Sequence, residues 1–343
     1  MKICVFGAGA IGGYLAHGLA KVKDVDLSLI ARGAHLAAMR ENGLTLETAD
    51  TRETVSVVAT DDPYQLGPQD VVIMCLKAHQ AWESAEWITP LLGPDTSVIT
   101  CQNGVPWWYF HGLPGSLEDK RLPSVDPSDR QWNIIGPERA IGCVVYPATE
   151  LTGPGVIKHV YGNKFALGEP DGTRSQRCER ISQNLEMGGF KAPVLDDIRS
   201  EIWLKLWGNL CFNPISALTR ATLDIVATDP DTRATADLMM QEAEHIAVKL
   251  GATFRVNRER RINGAAKVGA HRTSMLQDLE QGRAMEIDAL VTAVQEMGRI
   301  VDISTPCIDM VLGLVRQLAR TQDLYPNTLH SPLNHPQVLT ATV

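Results

Sequence analysis

Gly7-Ala8-Gly9-Ala10-Ile11-Gly12 follows directly on the apolar run Ile3-Cys4-Val5-Phe6, and the stretch behind it, Ile11–Val22, has a helical pattern. Glycines at this spacing, between a strand and a helix, leave few folds open. Gly7 permits a tight turn, Gly9 lets backbone approach a pyrophosphate, and Gly12 lets helix and strand pack closely. The helix N-terminus then offers free N–H groups and a positive dipole end to an anion. In this βαβ context Gly7, Ala8, Gly9, Ala10, Ile11 and Gly12 are the candidate cradle of a dinucleotide cofactor.

The alternation continues. Asp26–Ile30, Val55–Ala59, Val71–Leu76, Ser97–Cys101 and Ile141–Tyr146 read as strands, and His35–Asn42 and Ala81–Leu92 as helices. Gly162–Gly168, a helix near Ser175–Met187 and a short strand Phe190–Val194 complete a mainly parallel, doubly wound sheet. From about Asp196 the period becomes helical: Ile198–Cys211, Thr232–Leu250, Arg258–Val268, Met275–Gln281, Glu286–Gly298 and Ile308–Arg320. We therefore expect an α/β Rossmann-type domain over residues 1–195, an all-α domain over 196–321, and a Pro-rich tail over 322–343.

Composition narrows the function classes. The formal net charge of −8 argues against a nucleic-acid or anionic-membrane partner. No apolar run reaches the ~18 residues of a membrane span, and the chain enters its first strand with no leader, so a cytoplasmic protein is expected. Its seven cysteines are scattered without a CxxC pair and read as free thiols; the nine histidines show no metal-ligand spacing, so no metal site is expected.

Cofactor choice is made at the end of the second strand. NAD binders usually carry an acid there to accept from the ribose 2′-hydroxyl. Here Leu29-Ile30-Ala31-Arg32-Gly33 has no acid, and Asp26 comes too early. Arg32 presents a planar donor fork suited to a 2′-phosphate, which points to NADP(H).

Two further features stand out. Lys205, Asn209 and Asn213 fall at i, i+4 and i+8, on one helix face among Trp203, Leu206, Leu210 and Phe212. A poorly solvated lysine there is either a proton donor with a depressed pKa or a structural ion-pair partner. Pro214 is expected to bend or end that helix. Downstream, Ser274 and Gln277 have the spacing of a capping box, and Glu286 stands near the start of another helix. The second feature is an irregular stretch, residues 105–140, holding five prolines together with Trp107, Trp108, Tyr109, Phe110 and Trp132. A long aromatic-rich loop in a compact domain is expected to be functional: a lid or wall over the substrate, with a homodimer contact as the alternative.

In combination, the glycine motif with Arg32, Cys75-Leu76-Lys77, Gln102-Asn103-Gly104, the Lys205/Asn209/Asn213 helix and Ser274 through Glu286-Ile287-Asp288 resemble the ketopantoate reductase (2-dehydropantoate 2-reductase) family. The match runs in order from residue 1 to about 320. The resemblance implies a Rossmann domain and a helical domain of the 6-phosphogluconate dehydrogenase C-terminal type, with the active site between them. It implies NADPH-dependent reduction of a small-molecule 2-oxo acid, ketopantoate first, with Lys205 as general acid and Glu286 positioning it and holding the substrate hydroxyl. Asn209, Asn213 and Ser274 would hold the substrate's polar groups, and Lys77 and Asn103 would line the nicotinamide end. Two departures bear on substrate choice and packing: the aromatic stretch is longer than expected, and Asp288 is followed by Ala289-Leu290-Val291-Thr292 without a glycine. A related reductase of a different 2-oxo acid, a 3-hydroxyacid or opine-type dehydrogenase, and a non-catalytic NADPH sensor remain the alternatives.

Overall fold

The structure of the protein is a computed structural model that describes residues 1–326. Most of the expected tail, from residue 327 onward, lies outside the described residues.

Strands β1 (Lys2–Phe6) and β2 (Asp26–Ile30) alternate with helices α1 (Ala10–Leu19) and α2 (Gly33–Asn42). Next come β3 (Leu44–Glu47), β4 (Arg52–Val55), β5 (Val58–Thr60), β6 (Gln69–Met74), α3 (Ala78–Glu83) and β7 (Leu92–Thr100). Beyond α4 (Arg130–Ile135) lie β8 (Ala140–Val145), β9 (Ala148–Gly153), β10 (Val156–Tyr161), β11 (Phe165–Gly168) and α5 (Gln176–Met187). Seven strands form one sheet in the order β11-β8-β7-β6-β1-β2-β5, parallel except for β11. The order reverses between β1 and β6, so the crevice beyond their carboxyl ends is where a doubly wound sheet takes its ligand. Ile3–Phe6 is buried throughout, as a central parallel strand with both faces covered requires.

A second sheet, β4-β3-β10-β9, was not expected. It covers α1, which explains why nearly all of that helix is buried. A Cβ on Gly13 would stand 2.7 Å from Ile157 of β10. The run Val55–Ala59, expected as one strand, divides between the two sheets. Phe190–Val194 makes only isolated bridges beside β11, at Lys191 and Val194. The stretch Ala81–Leu92 breaks into α3 and a 3-10 turn, Ala85–Leu91, that contains Pro90.

The remaining elements are helical: α6 (Ile198–Thr219), α7 (Leu223–Thr228), α8 (Pro230–Lys249), α9 (Arg258–Ala266), α10 (Ser274–Glu280), α11 (Ala293–Ile300) and α12 (Pro306–Thr321). Pro214 does not end α6, which runs on to Thr219 and stops at Arg220 in the left-handed region. Its ring only removes the N–H that the Leu210 carbonyl would have received. Asp288–Thr292, where a glycine was missed, forms a π-helical turn leading into α11. Leu324 and Tyr325 pack against the core, and the Tyr325 hydroxyl donates to Asp288 Oδ1 at 2.7 Å.

The aromatic stretch is not a lid. Trp107, Trp108, Tyr109 and Phe110 are each at most 2% exposed and belong to the core shared with α6 and α8. Trp203 Nε1 donates to the Tyr109 hydroxyl at 2.7 Å, and Arg199 Nε donates to the Tyr109 carbonyl at 2.8 Å. The segment joins the sheet to the helices and is buried for that reason.

Candidate active site

The residues at the carboxyl ends of β6, β7 and β8 meet side chains of α6, α10 and the segment before α11. At the β1 end the glycine loop fits a pyrophosphate. Gly7 has φ +99, and a Cβ on Gly12 would lie 2.0 Å from the Gly7 carbonyl oxygen. Gly9 faces open space and is the N-cap of α1, with no side chain capping the first-turn N–H groups. Arg32 follows β2, N-caps α2, and is exposed; its carbonyl accepts from the Leu36 N–H, and its guanidinium makes no hydrogen bond or ion pair among the described residues. These groups fit the phosphates of a dinucleotide.

At the β6–β8 end, several expected residues meet. Lys205 Nζ donates to Asn103 Oδ1 at 2.7 Å and to the Val145 carbonyl. Asn103 Nδ2 donates to Glu286 Oε2 at 3.2 Å, while the Ala78 N–H donates to Glu286 Oε1 at 3.2 Å. Asn103 is thus held with its oxygen toward the ammonium and its amide toward the carboxylate. Gly104 makes this approach feasible: at φ +91, a Cβ there would fall 2.3 Å from the Ala289 carbonyl oxygen. Two of the three ammonium protons of Lys205 are engaged, which leaves one for a ligand. Burial pushes the Lys205 ammonium down to about 8, against the opposing pull of the Glu286 charge. The tryptophans of α6 are engaged elsewhere. Trp203 faces Tyr109, and Trp207 donates to the Met240 carbonyl and stacks on Phe254.

Asn209 lines a small cavity with Lys205, Gln102, Gly104, Cys143 and Ile202. Asn213 Nδ2 and Ser274 Oγ lie 3.4 Å apart, one helical turn further along. Ser274 is not the capping residue: Thr273 accepts from the Leu276 N–H, and Gln277 donates to the Arg272 carbonyl. Ser274 is exposed, and its hydroxyl accepts from Asn213 Nδ2. Lys77 reaches across to the helical side, 2.6 Å from Asp278 and 3.3 Å from the Ala284 carbonyl. Arg32 stands apart from this cluster, at the β2 end.

Sequence reasoning missed the support beneath Lys205. Glu201, one turn earlier on α6 and 2% exposed, accepts from Tyr146 (2.7 Å), Lys164 (2.7 Å) and Arg255 (2.6 Å). Tyr146 adjoins Val145, the acceptor of Lys205, so this network fixes α6 against the end of β8. The signal was present, since Glu201 extends the Lys205/Asn209/Asn213 stripe by four residues toward the N-terminus. Burial alone would push the Glu201 carboxyl up, but the hydrogen bonds from Arg255, Lys164 and Tyr146 overcome this and hold it down at about 2, against the usual 4.5. The folded value lies below the unfolded one. This stabilisation is therefore complete above about pH 4.5 and is lost as pH falls toward 2. Because the Arg255 side chain is 62% exposed, we expect it to amount to about 1–2 kcal/mol. Urea unfolding at a series of pH values should show wild type losing that much more stability than Glu201→Gln across this window; parallel curves would remove Glu201 from the acid dependence.

The chain is similar to known proteins over most of its length. Residues 3–172 match the family model described as ketopantoate reductase PanE/ApbA, and residues 197–319 match the model of its C-terminal part. A 2-dehydropantoate 2-reductase of Mesorhizobium japonicum is 56% identical over 325 residues, covering 95% of this chain and all of its own. A crystal structure from Ralstonia solanacearum MolK2, provisionally named a ketopantoate reductase, superposes with TM-score 0.90 at 42% identity, covering 94% of this chain and 99% of that one. A D-mandelate dehydrogenase solved with NADH and anilino(oxo)acetate superposes with TM-score 0.79 over 94% of this chain and all of its own, and at 19% identity shares the fold alone. The chain belongs to the ketopantoate reductase PanE/ApbA family.

Proposed function

We propose that the protein reduces 2-dehydropantoate (ketopantoate) to pantoate with NADPH, a reaction of the pantothenate route to coenzyme A. The observation that carries this reading is the Lys205–Asn103–Glu286 chain at the carboxyl ends of the strands, together with family membership. The overall change is 2-oxo acid + NADPH + H⁺ → 2-hydroxy acid + NADP⁺. Bound NADPH supplies the hydride to the 2-oxo carbon. Lys205 gives its free proton to the developing alkoxide and stabilises that charge as it forms. Its depressed pKa makes it a far better acid near neutrality than an exposed lysine. Asn103 orients the ammonium, and Glu286 keeps enough acceptor capacity, after two protein donors, to take a substrate hydroxyl. Asn209, Asn213 and Ser274 supply neutral polar groups for the rest of the substrate. Val145 and Glu201 hold Lys205's helix in place.

A homodimer and a cytoplasmic location fit this reading. An NADPH-oxidation assay over 2-dehydropantoate and several 2-oxo acids, with NADH as control, tests it. We expect 2-dehydropantoate with NADPH to give the highest kcat/KM; a preference for another 2-oxo acid overturns the substrate assignment.

The cofactor assignment rests on Arg32, the exposed and unpaired cation after β2. Losing a charge-assisted bidentate contact costs about 1.5–3 kcal/mol. Arg32→Ala should therefore raise KM for NADPH by roughly 10- to 100-fold and leave KM for NADH nearly unchanged. Equal effects on both cofactors would count against a 2′-phosphate contact.

A further inference from the structure

We propose that His35 is a positioning residue for the cofactor loop, fastening the Ala8 peptide to the second sheet. The proposal rests on the reading of Gly7–Gly12 as the NADP(H) cradle.

His35 lies in the first turn of α2, three residues beyond Arg32, and its ring spans two elements distant in sequence. The Gly155 N–H, in the β9–β10 turn, donates to His35 Nδ1 at 2.8 Å. His35 Nε2 lies 2.6 Å from the Ala8 carbonyl oxygen. A nitrogen that receives an N–H must be the bare one, so the proton sits on Nε2 and is donated to Ala8. Two backbone groups thus select a single neutral tautomer.

The peptide groups on both sides of Ala8 are consequently held. Its N–H, like that of Gly7, donates to the Ile30 carbonyl at 3.1 Å, while its carbonyl takes the His35 proton. Gly155 is itself fixed: its carbonyl accepts from the Thr45 N–H at 2.8 Å, and at φ +74 a Cβ there would come 3.2 Å from Ala38 of α2. The same sheet presses on the first turns of α1 through Ile157 against Gly13 and His159 stacked on Tyr14, ring centroids 4.8 Å apart. His35 is the polar part of this buttress. A loop already set by these contacts presents its N–H groups in one orientation. A loop released from them must be ordered by the ligand, and that cost falls on cofactor affinity and not on turnover.

The geometry separates three variants. His35→Ala unties both ends. His35→Gln has the length to place an amide N–H where Nε2 stood and to donate to Ala8. His35→Asn reaches only as far as Nδ1 and can accept from Gly155 alone. Isothermal titration of the full-length proteins with NADPH, alongside their thermal midpoints, reads the outcome. We expect His35→Ala and His35→Asn to bind NADPH about tenfold more weakly than wild type, His35→Gln to stay within about threefold, and kcat at saturating NADPH to hold. Wild-type affinity in His35→Ala overturns the proposal, and so does an equal loss in the Gln and Asn variants. The Gln–Asn comparison decides the matter even if the alanine variant fails to fold. Failure of the wild-type protein to bind NADPH overturns the cofactor reading along with it.

Discussion

Lys205→Ala is expected to lower kcat for 2-oxo acid reduction by roughly 10³-fold or more, with NADPH affinity unchanged. The substitution removes the ammonium with its free proton, and touches neither the glycine loop nor Arg32. Lys205→Arg separates the two roles of the ammonium. A guanidinium keeps the positive charge but does not release a proton near neutrality, so it should recover at most a small part of the loss. Single-turnover measurement of NADPH oxidation, with NADPH affinity determined in parallel, checks both variants. Turnover near wild type in either one would take proton donation away from Lys205.

The second large effect concerns stability. Trp108 is 1% exposed, and a Cβ on Gly142 would lie 2.9 Å from its ring, so the indole lies close over the β8 backbone beside Ile198 of α6. Truncating a fully buried tryptophan costs about 3–5 kcal/mol in lost burial and residual cavity. Trp108→Ala should lower the unfolding free energy by that amount in urea titrations followed by circular dichroism. Selectivity among 2-oxo acids in the folded fraction should not change, because Trp108 does not line the cavity around Lys205. Unaltered stability with altered selectivity would restore a lid over the substrate.

The sequence was most informative where local pattern and chemistry coincide. Ile3–Phe6 followed by the glycine motif could be little else, because burial on both faces and the need for a tight turn act on adjacent residues. The stripe Lys205/Asn209/Asn213 announced its face through helical spacing alone. The second sheet escaped notice because β4 and β9 are polar and exposed, and because β3 pairs with β10 more than a hundred residues away. Only Gly153-Pro154-Gly155, a turn between two strands, hinted at it. The aromatic stretch was misread for a related reason. Its prolines disrupt any period, and nothing local shows that Trp107–Phe110 turn inward to meet α6. At the start of α10, Thr273 and Ser274 are equally good caps by type, and only the backbone decides between them. Those contacts depend on tertiary placement, and His35 and Glu201 owe their roles to it as well.

The central claim is that a half-buried lysine at the strand ends gives the proton. The pH dependence of kcat/KM for the wild-type enzyme tests this most directly, because it titrates groups of the free enzyme. With burial holding the Lys205 ammonium at about 8, kcat/KM should be level below that pH. Above it, kcat/KM should fall about tenfold per pH unit as the proton is lost. A profile that stays flat to pH 10 would contradict the account.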